Sequence, residues 1–324
     1  MSAWRGVLGR AALVTAVAYG LATAIEFALI GIFKPTEWAL TWISDAVLAG
    51  MVGVATYLWL DLRATRVALS GAERARVVVD TQLSIAADLQ RNLLPQLPAD
   101  RPGLQWGAHL EPAGRIGGDF YDLVSISGTE VMFILADISG KGIPAAMLLA
   151  YTRAAFRTLL REYRQPADLV SRLSSALHSD TGGQPYVTCI VGRLDTGRGT
   201  LTYVNAGHPP ALLIRDEEVV RLDAGGPPAG LLAEASYVEE ILELRAGDHG
   251  VFFTDGITEA IERGPGSPAD IIVATVRRLP HGASAPAICH ALVSLALRGL
   301  GPAGVDDWQD DRTVLAFTIG PAGS

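Results

Sequence analysis

Two apolar stretches open the chain, residues 11–33 and residues 38–60, each broken only by weakly polar side chains and one acid, Glu26 and Asp45 respectively. A helix of about 20 apolar residues crosses the hydrocarbon core of a bilayer, so each stretch is long enough to span. The connector, Lys34-Pro35-Thr36-Glu37, places a helix breaker in a tight turn. This pattern predicts a transmembrane helical hairpin over residues 1–60. From Asp61 to Leu94 there is no proline and a single glycine. Charges there interleave with Val78, Ile85, Leu89 and Leu93 at helical spacing, which predicts a linker helix over 61–98 that ends near Pro95 and Pro98. Its apolar stripe admits two readings: packing on the chain's own domain, or pairing with the same helix of a second chain in a homodimer.

Beyond residue 99 the pattern turns to short β-type runs separated by turn residues, at 104–110, 131–136, 186–194, 199–205, 211–215, 219–222, 237–244, 249–254 and 313–318. Helical stretches fall at 144–163, 166–178 and 286–297. Hairpin signals such as Asp195-Thr196-Gly197-Arg198-Gly199 make the strands largely antiparallel. Residues 99–324 therefore read as an α+β domain, two sheets flanked by helices.

Charge changes the picture next. The formal net charge is −8, and from residue 102 onward 17 basic residues face 26 acidic ones. Phosphate backbones demand clustered Lys and Arg, so nucleic acid is not expected as a partner. Arg5 and Arg10 precede the first apolar stretch and Arg63 and Arg66 follow the second, while the turn holds only Lys34; this bias puts both ends in the cytoplasm of a two-span cell-membrane protein. A cleaved secretory signal would have a shorter apolar region and no second span directly after it, so cleavage is not expected. An ionised acid at mid-membrane costs roughly 2.5–3.5 kcal/mol on insertion scales, so Glu26 and Asp45 are expected to be neutral, to face a partner helix or the interface, or to line a ligand site. Cys189 and Cys289 are too few and too far apart for a disulfide framework or a zinc site, and read as small buried thiols.

Four aspartates carry the candidate chemistry. Asp119 lies in Gly117-Gly118-Asp119-Phe120-Tyr121, Asp137 follows the apolar run 131–136, Asp255 follows Val251-Phe252-Phe253-Thr254, and Asp310 stands in Gln309-Asp310-Asp311-Arg312-Thr313. Hard divalent cations take oxygen ligands and keep several waters, so a few carboxylates from distant strand ends can assemble a site. Neighbouring carboxylates cannot be separated by spacing, which leaves Asp310 and Asp311 as alternatives. Ser139-Gly140-Lys141-Gly142 lacks the full spacing of a nucleotide phosphate loop and reads as the turn that exposes the Asp137 strand end. His208, in Asn205-Ala206-Gly207-His208-Pro209-Pro210, fits a structural turn residue better than a proton donor, and the other histidines show no ligand spacing.

Residues 112–144 resemble the SpoIIE-type branch of the PPM metal-dependent serine/threonine protein phosphatases, and the resemblance continues through 203–210, 254–260 and 310–313. It covers roughly Leu89 to Ile319, with four motifs in order, and does not reach the first sixty residues. It implies an α-β-β-α sandwich and hydrolysis of phosphoserine or phosphothreonine with two Mn²⁺ or Mg²⁺ ions. It also implies site roles: Asp137 bridging both ions, the Ile138 carbonyl on one of them, Asp119 on the metals directly or through water, and Asp255 with Asp310 or Asp311 on the other. Where the wider family often has glycine after the second motif, Ile138 stands here. Arg115, four residues before Asp119, falls where the superfamily places a phosphate-binding arginine, a role a bidentate guanidinium suits; its alternative is a surface loop residue. The implied substrate is a phosphorylated anti-sigma-factor antagonist of the STAS type, in control of transcription by partner switching.

Two other classes compete. Gly117-Gly118-Asp119-Phe120 invites a diguanylate cyclase, but Tyr121 stands where a second acid is needed and the later aspartates go unexplained. A non-catalytic, membrane-anchored phosphoprotein adaptor would have no reason to keep the acidic set intact.

Overall fold

The computed structural model describes residues 16–23, 25, 38–93, 95, 97–98, 100–101, 103–216, 218–262, 266–304 and 310–320. The chain separates into two compact units, Met1–Thr81 and Gln82–Ser324.

In the first unit, residues 16–23 are helical, and α1 begins at Trp38 and runs without a break to Leu93, within the second unit. The apolar run and the charged linker therefore join in one helix. Charges on a helix surface weaken burial, not the backbone ladder, so nothing at Asp61 stops it. Ser44–Val67 is long and apolar enough to cross a membrane, and its side chains, including Leu48, Met51 and Val54, are exposed instead of packed in a core. Most of the first expected span, Glu26 and the turn 34–37 lie outside the described residues, as do the side chains of Val78, Ile85, Leu89 and Leu93.

Among its described residues the second unit holds eleven strands: β1 Leu104–Glu111, β2 Phe120–Ser125, β3 Glu130–Ile138, β4 Val187–Asp195, β5 Thr200–Ala206, β6 Ala211–Arg215, β7 Glu218–Leu222, β8 Gly225–Gly226, β9 Glu240–Glu243, β10 His249–Phe253 and β11 Arg312–Ile319. Five helices lie among them: α2 Ile143–Leu159, α3 Pro166–Thr181, α4 Asp255–Glu262, α5 Pro268–Arg277 and α6 Ala285–Gly304. One sheet runs β1-β11-β10-β6-β7, the other β2-β3-β4-β5-β8 with β9 also on β5. All pairs are antiparallel except the short β5–β8 contact.

Strand β3 shows why two sheets must stack. Val131, Phe133 and Leu135 pack with Trp106, Phe252 and Phe317 between the sheets, while Met132, Ile134, Ala136 and Ile138 pack outward against α2 and α3. Alternate residues of a strand point to opposite faces, so a run apolar at every position demands cover on both. The helices α4, α5 and α6 cover the outer face of the first sheet through Ile257, Ile272, Ile288 and Leu292 against Val251, Phe253 and Val314. Four rings lock the middle layer, with Trp106 to Phe133 at 5.4 Å, Trp106 to Phe317 at 5.5 Å and Phe133 to Phe252 at 4.9 Å, offset and edge contacts that add to burial. The expected α-β-β-α layering is what forms. Strands β2 and β8 and helices α4 and α5 are additional to the expected elements.

Candidate metal centre

Four chain segments reach the same end of the sandwich. Register places Phe120 opposite Ala136, Leu110 opposite Thr313 and Phe253 opposite Val314. The loop before β2, the end of β3, the junction of β10 with α4 and the start of β11 are thereby neighbours. Continuing the alternation of β3 by one step, Asp137 follows Val131, Phe133 and Leu135 onto the inner face, where the apolar filling stops.

The carboxylates respond to one another. Asp137 is pushed up to about 7, first by burial and then by Asp255, Asp310 and Asp311. Asp119 is held well above the ordinary carboxylate range by burial and by Asp137 and Asp311, against the lowering effect of Thr313 and Thr254. Asp255 is raised by burial, Asp310 and Glu259. Burial and like charge both disfavour the anion, so all three shifts report a crowded acidic pocket. The five predicted aspartates are thus brought together from positions up to 192 residues apart.

Their hydrogen bonds distinguish them. Asp119 is buried, and its Oδ2 accepts from Thr254 Oγ1 at 2.7 Å and Thr313 Oγ1 at 2.6 Å, which fixes the carboxylate plane. Asp311 is spent on backbone: Oδ1 accepts from Ala113 N at 2.8 Å, and Oδ2 accepts from the amides of Gly118 and Asp119. Asp310 lines the cleft beside Asp137, with Oδ1 accepting from Asp311 N at 3.0 Å. Glycine is required in the loop between. A Cβ on Gly118 would stand 2.9 Å from the Ile138 carbonyl oxygen and 3.2 Å from Asp137 Oδ1, and one on Gly117 would strike the Asp311 carboxylate.

The cleft has a volume of about 510 Å³, with Arg115 on one lip and Lys141, in the turn before α2, on the other. A larger hollow of about 790 Å³, around His249 and Arg277, lies at the opposite end of the first sheet and holds none of these carboxylates. Beneath the cleft sits His208, buried, with Nδ1 3.1 Å from Thr188 Oγ1; Thr188 is the register partner of Asp137. Burial pushes the imidazole down to about 3. The Asn205 amide holds the turn, accepting from His208 N at 2.7 Å and donating to His208 O at 2.9 Å. A neutral, enclosed ring of this kind is a structural tie between layers. Cys189 and Cys289 are buried thiols pushed up to about 12, which leaves them inert at neutral pH.

The donor set is all oxygen, carboxylates with a nearby backbone carbonyl, and so fits a hard divalent cation and not zinc or copper. Among the described residues no three His, Cys, Asp or Glu side chains close into a cage of their own.

Two antiparallel sheets between helices, with an acidic cleft at one end, are the architecture of the PP2C phosphatase fold. The SiaA-PP2C domain of Pseudomonas aeruginosa superposes with a TM-score of 0.64 at 22% identity, covering 76% of this chain and 98% of that one. The PP2C domain of the cell fate determinant SpoIIE from Bacillus subtilis, with a fragment of its regulatory domain, gives 0.59 at 19% identity, covering 68% of this chain and 64% of that one. Stage II sporulation protein E (SpoIIE) is the family whose sequence description matches, over residues 127–320, and the chain belongs to that family. The phosphoserine phosphatase RsbU of Bacillus subtilis (strain 168) is 27% identical over 183 residues, 56% of this chain and 54% of RsbU. The chain spans about half the length of the curated relatives it matches, or less. The family match begins beyond Asp119 and does not cover the Gly117-Gly118-Asp119 loop.

Proposed function

We propose that this chain is a membrane-anchored phosphoserine/phosphothreonine protein phosphatase dependent on two Mn²⁺ or Mg²⁺ ions. The observation that carries the reading is the clustering of Asp119, Asp137, Asp255 and Asp310 from four separate strand ends, with Asp137 and Asp310 lining the cleft and Asp137 raised by burial and then by Asp255, Asp310 and Asp311. Asp137, the Ile138 carbonyl, Asp255, Asp310 and Asp119 would hold the ions. Asp311 is not in this set, because both its oxygens already accept backbone amides. When bound, a pair of divalent ions activates water at neutral pH and offsets phosphoryl charge.

The protein's own residues supply the rest. Thr254 and Thr313 orient Asp119, and Gly118 lets its loop approach the Ile138 carbonyl. Arg115 grips the substrate phosphate at the cleft mouth, where a guanidinium can bond two oxygens at once. Neither cysteine serves as a covalent nucleophile in this reading, since both thiols are buried and deactivated. Similarity to the phosphoserine phosphatase RsbU supports a phosphoserine substrate, and the resemblance carried by the sequence motifs makes that substrate a phosphorylated STAS-type anti-sigma-factor antagonist. The apolar Ser44–Val67 segment supports membrane anchoring, with the catalytic unit on the cytoplasmic side by the arginine bias and homodimerisation through α1.

The full chain in detergent should release phosphate from a serine-phosphorylated peptide with Mn²⁺. Asp137→Asn should lower the rate at least about 100-fold, the order seen when a charge-stabilising group is removed. Equal rates in Asp137→Asn, or in EDTA, would refute the site.

A further inference from the structure

Gly117 opens the loop that carries Asp119, and its peptide groups are satisfied from an unexpected place. Gln90, in the last turn of α1, is 8% exposed. Its Nε2 donates to Gly117 O at 2.9 Å and its Oε1 accepts from Gly117 N at 3.1 Å. A primary amide is the one neutral side chain with donor and acceptor spaced to serve both groups of a residue, as a neighbouring strand would. The same loop is held on its other side by Asp311, which takes the amides of Gly118 and Asp119. Three consecutive residues, Gly117 to Asp119, are therefore clamped between a helix that precedes the sheets and a carboxylate that precedes β11.

Within that clamp stands Gly118, so close to Asp137 and the Ile138 carbonyl that no side chain fits. A loop shift of a few tenths of an ångström would move Asp119 relative to Asp137. Gln90 is not needed to close α1, whose interior residues bond along the helix, and a buried amide without partners would be costly. We propose that Gln90 is a positioning residue for the metal centre: through Gly117 it sets the Asp119 loop in the geometry that binds divalent cations, and the end of α1 is thereby part of the catalytic unit. This inference rests on the phosphatase reading above and names a residue that reading does not use.

The test uses the full chain in detergent, stripped of metal and titrated with Mn²⁺, with binding read by the loss of free Mn²⁺ electron paramagnetic resonance signal. Turnover of p-nitrophenyl phosphate is followed on the same samples. Gln90→Met keeps the volume and the helix but removes both bonds; Gln90→Ala is the second variant. Two lost hydrogen bonds should weaken Mn²⁺ binding and raise the Mn²⁺ needed for half-maximal turnover about tenfold. KM for p-nitrophenyl phosphate at saturating Mn²⁺ should stay within about twofold of wild type, because the phosphate grip is elsewhere. Wild-type Mn²⁺ affinity in both variants, with only a lower melting temperature, would overturn the proposal. A wild-type chain that binds Mn²⁺ but does not turn over would overturn the phosphatase reading alone, since the resonance titration still judges Gln90. A wild-type chain that binds no Mn²⁺ would overturn both.

Discussion

Asp310 and Asp311 are adjacent acids with opposite duties, and substituting each with asparagine should separate them. Asp311 accepts three amides: Ala113 N on Oδ1, Gly118 N and Asp119 N on Oδ2. In Asp311→Asn one oxygen remains. Placed toward Gly118 and Asp119 it keeps two bonds, now neutral and worth about 1 kcal/mol each instead of about 1.5–3. The new NH₂ then meets the Ala113 N–H, donor against donor, and costs roughly another 1–2 kcal/mol after allowing for the partial exposure of that amide. The two weakened bonds lose about 1–4 kcal/mol together, so the sum is about 2–6 kcal/mol, which for a domain of this size lowers the melting temperature by roughly 5–20 °C. Asp310→Asn removes one charge from a crowd of like charges, so the metal-free melting temperature should hold or rise, while Mn²⁺ half-saturation should weaken at least about tenfold. Calorimetry in EDTA and a Mn²⁺ titration of turnover measure the two quantities. A metal-free Asp311→Asn that melts with wild type, or a Mn²⁺ dependence unchanged in Asp310→Asn, would refute the division of labour.

Two further outcomes follow from buried charge. His208 has its native pKa pushed down to about 3, below the ordinary 6.5, so the unfolded state binds the proton first and stability is lost as pH falls from about 6.5 toward 3. Between pH 7 and pH 5 this contributes up to about 2 kcal/mol; urea midpoints should show a shallower pH slope in His208→Asn, and parallel slopes would contradict the buried neutral ring. Asp122 is fully buried and bonds Arg157 Nε at 2.6 Å and Nη2 at 2.8 Å, with Arg153 Nε at 3.1 Å, tying β2 to α2. Asp122→Ala should cost about 2–4 kcal/mol, less than a fully enclosed pair because Arg157 can rehydrate; a loss under about 0.5 kcal/mol in chemical denaturation would show the cluster to be dispensable.

The sequence disclosed most where a residue's role depends on its immediate neighbours. Within β3, residues 131–136 are apolar at every position and so announce a strand covered on both faces, and the aspartate that follows them announces a polar cleft. The same locality explains the elements that escaped. Strand β2 begins one residue after Asp119, so Phe120-Tyr121-Asp122 reads as a continuation of the loop motif until β3 pairs with it. Helix α4 starts at Asp255 itself, directly after β10 and Thr254, so the Thr254-Asp255-Gly256 motif that reads as a strand-end site is also the start of a helix. The apolar stretch that ends at residue 60 and the charged stretch after it lie in one helix, because hydropathy sets the solvent of a helix and not its length. What sequence could not separate is decided by long-range partners. Asp310 and Asp311 are equivalent until the amides of Ala113, Gly118 and Asp119 are known to lie against one of them. Gln90 is one polar residue among many on a charged helix until Gly117, 27 residues on, supplies both its bonds. In each case the chemistry is carried by the residue whose backbone neighbours have left it facing the cleft, and the support by the residue they have claimed. Spacing along the chain cannot assign either role, because the claim is made across the two sheets and not along a strand.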